Sequence, residues 1–528
     1  MKAKGWVRFA VFALVLALVA ALAGCGSNQP AEQPAAPKVA TAIRHSEVVV
    51  FWDPSDTFSN EIVALQNIYE TLLRYDPFED KLVPILATEY STSEDGLVWS
   101  FKLREGVKFH TGNPFNADAV KYSIERTIER GMGASFIWHA VEEIRVVDEY
   151  TVEFVLEYPA PLDIIAAAGY GAYIFDPVVT EEKGHEWFLE GNACGTGPYM
   201  VESWERGQEL VLTKFEEYWG GWEDHHFDKV VQKVVPEAST RRQMLEAGEA
   251  DFIEALPFEH IEALRANPGI TISVTPSFQS LFGHLNTEKP PLDNKLVRQA
   301  LSYAMPYDGI IDHVMYGYAR QSRGAVPYGL WGHEESLFQY THDLDRAREL
   351  LEEAGYPDGG FSLVLTYVSG DDFERRTAEL YKAELAKLGI DLEIRGMPWE
   401  SQWDLAKSPD PMDRQDIFLF YWWPDVADPI SFLRGMFYSE EEIVFNLCYY
   451  KNPDYDALVD EASKHAGLDR DKSSQLYAQA QEHLIEDAAA LYIYDQQYVR
   501  PLRANFKGYK DNPAYPHVVF FYDCYREE

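Results

Sequence analysis

The residues best suited to recognise a ligand lie in one run, Asp416 to Ser431, which reads D-I-F-L-F-Y-W-W-P-D-V-A-D-P-I-S. An apolar stretch leads into Tyr421, Trp422 and Trp423. Pro424 then interrupts the strand and leaves Asp425 just past its carboxyl end. In open α/β sheets, ligands sit outside the carboxyl ends of strands. Aromatic walls beside one carboxylate suit a ligand with an apolar or planar body and a cationic end. An ammonium–carboxylate bond is stronger in such a dry site than in water. The same run also suits two core tryptophans and an aspartate capping the next helix. The residues alone leave both readings open.

No catalytic arrangement stands out. G-x-S-x-G, the P-loop and H-E-x-x-H are all missing. G-M-G-A-S-F, from Gly131 to Phe136, lacks the third glycine of a dinucleotide fingerprint. Glu223, Asp224, His225, His226 and Asp228 form a dense polar cluster. Consecutive residues on one segment rarely converge on one ion, so a solvated loop is expected there and no metal or cofactor is assigned. A hydrolase built from dispersed residues is a rival that composition does not support.

The elements that must position these residues are legible from periodicity. Leu344, Ala347, Leu351 and Ala354 recur at helical spacing, with Thr341 or Asp343 as N-cap and Gly355 and Pro357 as terminators. Phe361, Leu363, Leu365 and Tyr367 alternate as a strand, and Ala378, Tyr381, Leu385 and Leu388 form a second helical stripe. Ile390, Leu392 and Ile394 alternate again, and Ile417 to Trp423 reads as a buried strand. Helix–strand–helix–strand implies crossovers and parallel pairing. An earlier strand–helix–strand rhythm runs through Lys229–Val235, Thr240–Ala247 and Asp251–Ile253. Residues 98–108 and 143–157 alternate and turn, adding a strand-rich segment. No period of 20–50 residues marks a solenoid. The class is therefore α/β with mixed sheets and at least two bodies.

The 528 residues are 46% apolar and 25% charged, which excludes wholesale disorder and points to several structural units. A formal charge of −40 argues against a nucleic-acid partner and against adsorption of the body to anionic lipid. It fits a solvated acidic surface, or an exported protein adapted to salt or alkali.

The N-terminus sets the compartment. Lys2, Lys4 and Arg8 precede an apolar run from Phe9 to Ala23, too short for a span of ~20 residues and suited to a signal peptide. L-A-G-C, Leu22 to Cys25, resembles a bacterial lipobox. That resemblance makes residues 1–24 a lipoprotein signal peptide and Cys25 the lipidated first residue. Residues 25–42 are Pro/Ala-rich and polar, and are expected to be a flexible tether. Export with lipid anchoring on the outer face of the cytoplasmic membrane, or in the periplasm, follows. Apart from Cys25, Cys194, Cys448 and Cys524 could form one disulfide, and sequence does not choose the pair.

Family motifs extend along the chain. Y-E-T-L-L-R-Y-D (Tyr69 to Asp76), L-V-P-I-L-A-T-E-Y (Leu82 to Tyr90) and F-K-L-R-E-G-V-K-F-H-T-G-N-P-F-N-A-D-A-V-K-Y-S-I-E-R (Phe101 to Arg126) come first. G-T-G-P-Y from Gly195 and E-Y-W-G-G-W from Glu217 follow. The run Leu285 to Leu301, D-L-D-R-A-R-E-L-L-E-E-A-G-Y from Asp343, D-P-I-S-F-L from Asp428 and N-P-D-Y-D from Asn452 complete the order. Together they resemble the extracellular solute-binding proteins of family 5, the oligopeptide, dipeptide and nickel receptors of ABC importers.

The resemblance implies a two-lobed, periplasmic-binding-protein-like fold with a ligand cleft between lobes. Lobe I would comprise 43–73, 191–280 and 490–528, carrying an extra domain at 74–190. Lobe II would be 281–489. The resemblance also implies a monomeric receptor that delivers an oligopeptide to permease subunits and performs no chemistry. In peptide receptors of the family, an aspartate in a W-x-x-D-type turn pairs with the ligand's α-amino group, a role that falls on Asp425. Trp422 corresponds to an aromatic pocket wall, with Tyr421 and Trp423 beside it. Tyr494 and Phe58 are further ligand contacts by looser correspondence, and Gly195, Thr196 and Gly197 read as a structural turn. The Tyr-Trp-Trp run also suits stacking on a sugar ring, so an oligosaccharide remains the alternative ligand. A receptor that presents its ligand to a signalling partner would need the same capture.

Overall fold

Two long strands, Ile270–Leu285 and Ala490–Arg503, run antiparallel through the middle of the protein. They are the spine of an 11-stranded sheet whose two ends belong to different halves of the molecule. The computed structural model describes residues 36–527, apart from 50, 58–60, 77–78, 80, 442 and 516–517. Cys25, the signal peptide and Phe58 therefore lie outside the described residues.

On one side the sheet continues through Ile417–Trp422, Ser362–Val368 and Asp391–Met397. The last two pair in parallel, and Ser362–Val368 is also parallel to Ile417–Trp422. Helix Asp372–Ala386 makes the crossover that parallel pairing demands. Helix Leu344–Glu353 starts where the Asp343 carboxylate accepts the backbone N–H groups of Asp345 and Arg346. Strand Ile417–Trp422 lies between two neighbours, which explains why it is an unbroken apolar run rather than an alternating one.

On the other side lie Phe252–Ile253, Val39–Arg44, Lys229–Val234, Glu209–Lys214 and Tyr199–Glu205. The body begins earlier than composition suggested. Val39–Arg44 is a central strand, parallel to both Lys229–Val234 and Phe252–Ile253. The tether expected to reach residue 42 thus gives way at residue 39. The small residues Ala40 and Ala42 are fully buried there, and cross-strand pairing on both edges offsets their low apolar content.

A separate antiparallel sheet, ordered Ala87–Thr92, Val98–Leu103, Thr151–Leu156, Val141–Asp148, forms the extra domain. Helix Ala117–Arg130 packs beside it, capped by Asn116 and ended by Gly131 at φ 60°. The turn after helix Pro453–Ala466 reaches across to this sheet. Leu468 sits 3.1 Å from the position a Cβ on Gly96 would take.

The two long strands change register between Pro276 and Ser280. At this bulge the Ser277 hydroxyl donates to the Gln496 carbonyl at 2.7 Å. Asp495 accepts from the hydroxyls of Ser280 and Ser322 and from the Tyr328 N–H. Both long strands share this irregularity, and a second follows between Leu281 and Phe282.

One buried group in this spine sets an acid limit. His284 packs between Phe420 and Phe437, with ring centroids at 4.7 and 5.0 Å, and neither ring nitrogen has a partner. Burial pushes its pKa down to about 3. A depressed folded value means stability is intact above the unfolded value near 6.5 and is lost as pH falls below it. The loss at pH 5 is about 2 kcal/mol, at ~1.4 kcal/mol per unit. His284→Phe is expected to shrink the difference between urea midpoints at pH 7 and pH 5. An unchanged difference would remove His284 as the source.

Candidate functional site

A cavity of about 70 Å³ lies where the halves meet. Its walls come from the segment after Ile62, strand Leu73–Asp76, residues 164–173, Ala427 and the C-terminal run 512–520. That volume holds a couple of waters and is far below the ~300 Å³ at which drug-sized ligand pockets begin. A ligand larger than that would enter only as the halves part.

Asp425 sits at the edge of this cavity. The Tyr515 hydroxyl lines the wall, accepts the Gly169 N–H at 2.9 Å and donates to the Asp425 carbonyl at 3.1 Å. This three-way contact ties the Asp425 turn, the segment near Gly169 and the C-terminal run together. The Asp425 side chain turns back on its own loop. Ser431 Oγ donates to Oδ2 at 3.2 Å and accepts the Asp425 N–H at 2.8 Å. Asp425 does not cap the following helix, Ile430–Phe437; Asp428 accepts the Ile430 N–H instead. Burial pushes the Asp425 carboxyl up to about 6, and the Ser431 hydrogen bond opposes that only in part. No Lys or Arg pairs with it among the described residues.

The aromatic residues divide. Trp422 is half-buried, donates its indole N–H to the Ser431 carbonyl at 3.0 Å and packs edge-on against Phe445. It props the Asp425 turn from behind. Tyr421 and Tyr494 share a hydroxyl–hydroxyl hydrogen bond of 2.7 Å, and Tyr494 is fully buried. Neither lines the cavity. Trp423 is half-buried and packs on no other ring among the described residues. The structure thus ties the Asp425 turn, braced by Trp422, to the cavity wall through Tyr515, with neither side chain among the lining residues, and packs the Tyr421–Tyr494 pair against the core.

The opposite wall is what the sequence reading missed. Glu70 and Arg74 line it, both in the Y-E-T-L-L-R-Y-D run. Glu70 accepts from Thr196 Oγ1 at 2.8 Å, from the Tyr218 hydroxyl at 2.9 Å and from Trp219 Nε1. Burial nonetheless pushes its carboxyl up to about 7. The Gly-Thr-Gly turn therefore does more than turn: Thr196 fixes a carboxylate beside the cavity. Strand Leu73–Asp76 alternates buried and half-buried residues, so Arg74 faces away from the core. That alternation was the signal available in the sequence.

Two other clusters bear on metal binding. Asp53, Asp56 and His185 offer ligand atoms within 4.8 Å of one another. Arg126 already donates to both Asp53 oxygens at 2.7 and 2.6 Å, and Arg130 to both Asp56 oxygens. These bonds hold the Asp53 carboxyl below its usual range despite burial. Two guanidinium groups satisfy the cluster, which clamps helix Ala117–Arg130 to the N-terminal segment. The Glu223–Asp228 segment is a loop in which His226 accepts the Glu223 N–H and stacks on Tyr522. Cys194, Cys448 and Cys524 are all free and buried. Among the described residues no helix is long and apolar enough to cross a membrane.

Two halves of one sheet joined through paired long strands, with a cavity where they meet, define a two-lobed binding protein. The chain belongs to the bacterial extracellular solute-binding proteins, family 5, whose middle-region model matches residues 81–442. It is 30% identical over 513 residues to a probable D,D-dipeptide-binding periplasmic protein of Escherichia coli, covering 96% of each chain. It is 28% identical to a glutathione-binding protein of Pectobacterium atrosepticum, covering 89% of this chain and 90% of that one. Among solved structures it resembles a periplasmic binding protein associated with an ABC transporter of Helicobacter pylori, in complex with the peptide STSA. That match has a TM-score of 0.79 and 27% identity, and covers 93% of this chain and 98% of the other. The protein is a substrate-binding protein of an ABC importer, of a family whose members bind solutes.

Proposed function

We propose that this protein captures peptides at the outer face of the membrane, holding the ligand's α-ammonium group on Asp425. The observation that carries this reading is the state of that carboxylate. It sits beside the cleft cavity, has no cationic partner among the described residues, and is raised to about 6. Asp425 is half-buried; a carboxylate partly withdrawn from water without a cation is costly, and a ligand ammonium is the group that relieves it. The named relatives are a probable D,D-dipeptide-binding protein, a glutathione-binding protein and a protein in complex with the peptide STSA. Trp422 braces the Asp425 turn, Trp423 offers a wall, and Tyr421, Tyr494 and Phe58 stand further from the ligand or outside the described residues. With the first segment starting at the Val39 strand, the lobes divide as 39–73, 191–280 and 490–528 against 281–489, with 74–190 as the extra domain. Lipid on Cys25 holds the mature monomer beside its permease, and no chemical step follows capture. The unstacked Trp423 ring favours one second reading, an oligosaccharide receptor.

A thermal-shift screen of the mature, unlipidated body tests the ligand class. Short peptides, oligosaccharides and nickel chelates are the probes. A ligand at a hundredfold excess over Kd adds ~2.7 kcal/mol. A chain this size unfolds with ~1 kcal/mol per degree, so the expected rise is ~2–3 °C. Shifts with free-amine peptides that vanish on N-acetylation support the reading. Shifts with sugars only would overturn it.

A further inference from the structure

The extra domain meets lobe II along a seam that leads outward from the cavity, where Ile164 and Ala427 are wall residues on its two sides. Farther out, the turn at 467–469 joins helices Pro453–Ala466 and Arg470–Asp487 and lies against one end of the four-stranded sheet. Leu468 fills the space that Gly96 leaves by having no side chain. A Cβ on Gly96 would stand 3.1 Å from Leu468 Cδ1 and 3.3 Å from Pro159 Cβ. Gly467 backs onto the extra domain in the same way. A Cβ there would stand 3.0 Å from the Trp99 ring and 3.2 Å from Pro161 Cα.

A charged contact lies beside the apolar one. Asp163 belongs to the extra domain and Asp428 to lobe II. Burial raises the Asp163 carboxyl and pushes Asp428 up to about 7, and each Asp is held down in part by a backbone N–H, from Ile164 and Ile430, and by the charge of Arg470. Asp163 itself adds to the rise at Asp428. One arginine on lobe II thus acts on two acids that face each other across the seam. Its guanidinium is 5.0 Å from the Trp331 ring centroid, which keeps it on the lobe II side.

With lobe II spanning 281–489, the chain enters and leaves it only through the two long strands, and never directly from the extra domain. The seam is therefore broken whenever the halves part. A contact made in one of two states shifts the equilibrium toward that state. We propose that the turn from Gly467 to Arg470 and its seat on the extra domain form a clasp that favours the closed state before any ligand is bound. This rests on the lobe division given above. The clasp makes the extra domain, which supplies only part of the cavity wall, a determinant of how often the cleft opens and how fast a ligand leaves.

The test is hydrogen exchange of the ligand-free mature body, read by mass spectrometry at the C-terminal cavity wall, residues 512–515. Exchange there reports the opened fraction. Leu468→Asp is expected to speed it by roughly 5–30-fold, and Arg470→Gln by roughly 3–10-fold. Leu468 is 44% exposed, so its replacement leaves the core of each lobe in place. A second protein carries Pro161→Cys with Gly467→Cys, positions within disulfide reach. Oxidation is expected to slow exchange at the wall by at least about tenfold, and reduction to restore it. Slowing by the disulfide with no effect of Leu468→Asp overturns the clasp and leaves the lobe division standing. An oxidised disulfide that leaves exchange unchanged overturns the lobe division, and the clasp falls with it. The Leu468→Asp comparison decides the matter alone if the disulfide does not form.

Discussion

Asp425→Asn is expected to weaken binding of free-amine peptides by roughly 30–1000-fold, or about 2–4 kcal/mol, while raising the melting temperature of the ligand-free protein. The two effects have one origin. In the free protein, burial raises the carboxyl from 3.8 to about 6. Its contribution to stability is most favourable below 3.8 and is lost as pH rises through about 6. At pH 7.5 the ionised side chain therefore costs the fold something on the order of 1–2 kcal/mol. Asparagine keeps the shape and a hydrogen bond with Ser431 and lacks the charge. Binding has the opposite sign, because the complex needs the carboxylate. Wild-type affinity should be flat above about pH 6.5 and fall up to tenfold per unit below about 5.5. Asp425→Asn should show no such slope. Titrations from pH 5 to 8 on both proteins check this. A variant that binds free-amine peptides within threefold of wild type would remove Asp425 from the site.

The second large effect is structural and falls on Gly195. A Cβ there would stand 2.1 Å from the Ile68 carbonyl oxygen and 2.8 Å from the Tyr69 ring. Real Cβ atoms do not approach backbone that closely, so one of the two segments must move. The contact is also bonded: the Gly197 N–H donates to the Ile68 carbonyl at 2.9 Å, and the His110 N–H to the Gly195 carbonyl at 2.8 Å. Gly195→Ala is expected to cost about 3–5 kcal/mol, as overpacking that must displace backbone does. That is a fall of ~3–5 °C in melting temperature for a chain this long. The shift would also pull Thr196 from Glu70 and disturb the wall that carries Arg74. Thr196→Ala is the control; it removes one hydrogen bond, worth about 1–2 kcal/mol to a charged acceptor, and leaves the backbone in place. Scanning calorimetry distinguishes them. A Gly195→Ala protein melting within a degree of wild type would show that the turn has slack.

Much of the architecture was legible in residues that act locally. The helix starting after Asp343, the alternation through Leu363 and Leu365, and the apolar run from Ile417 each follow from side-chain period and capping, which need no distant partner. The order of elements then required crossovers, and parallel pairing of Ser362–Val368 with its two neighbours followed. Asp425 was legible for the same reason: a proline after a buried strand fixes where the chain leaves the sheet.

What the chain does locally did not reveal what meets across the cleft. Tyr515 lies 90 residues from Asp425 and 346 from Gly169, yet one hydroxyl joins all three. Trp422 and Tyr494 looked alike as aromatic candidates. Only packing made one the brace of the Asp425 turn and sealed the other beneath Tyr421. Val39 to Ala42 looked like the end of a tether because the run offers few large apolar groups, and became part of a central strand because partners from 229–234 and 252–253 flank it. Local periodicity thus determined the elements, and the motif strings the family. Tertiary structure alone decided which polar groups lose water together. That desolvation left the Asp425 carboxylate without a cation among the described residues, and the Gln66 amide and Tyr173 hydroxyl without partners in the cavity wall.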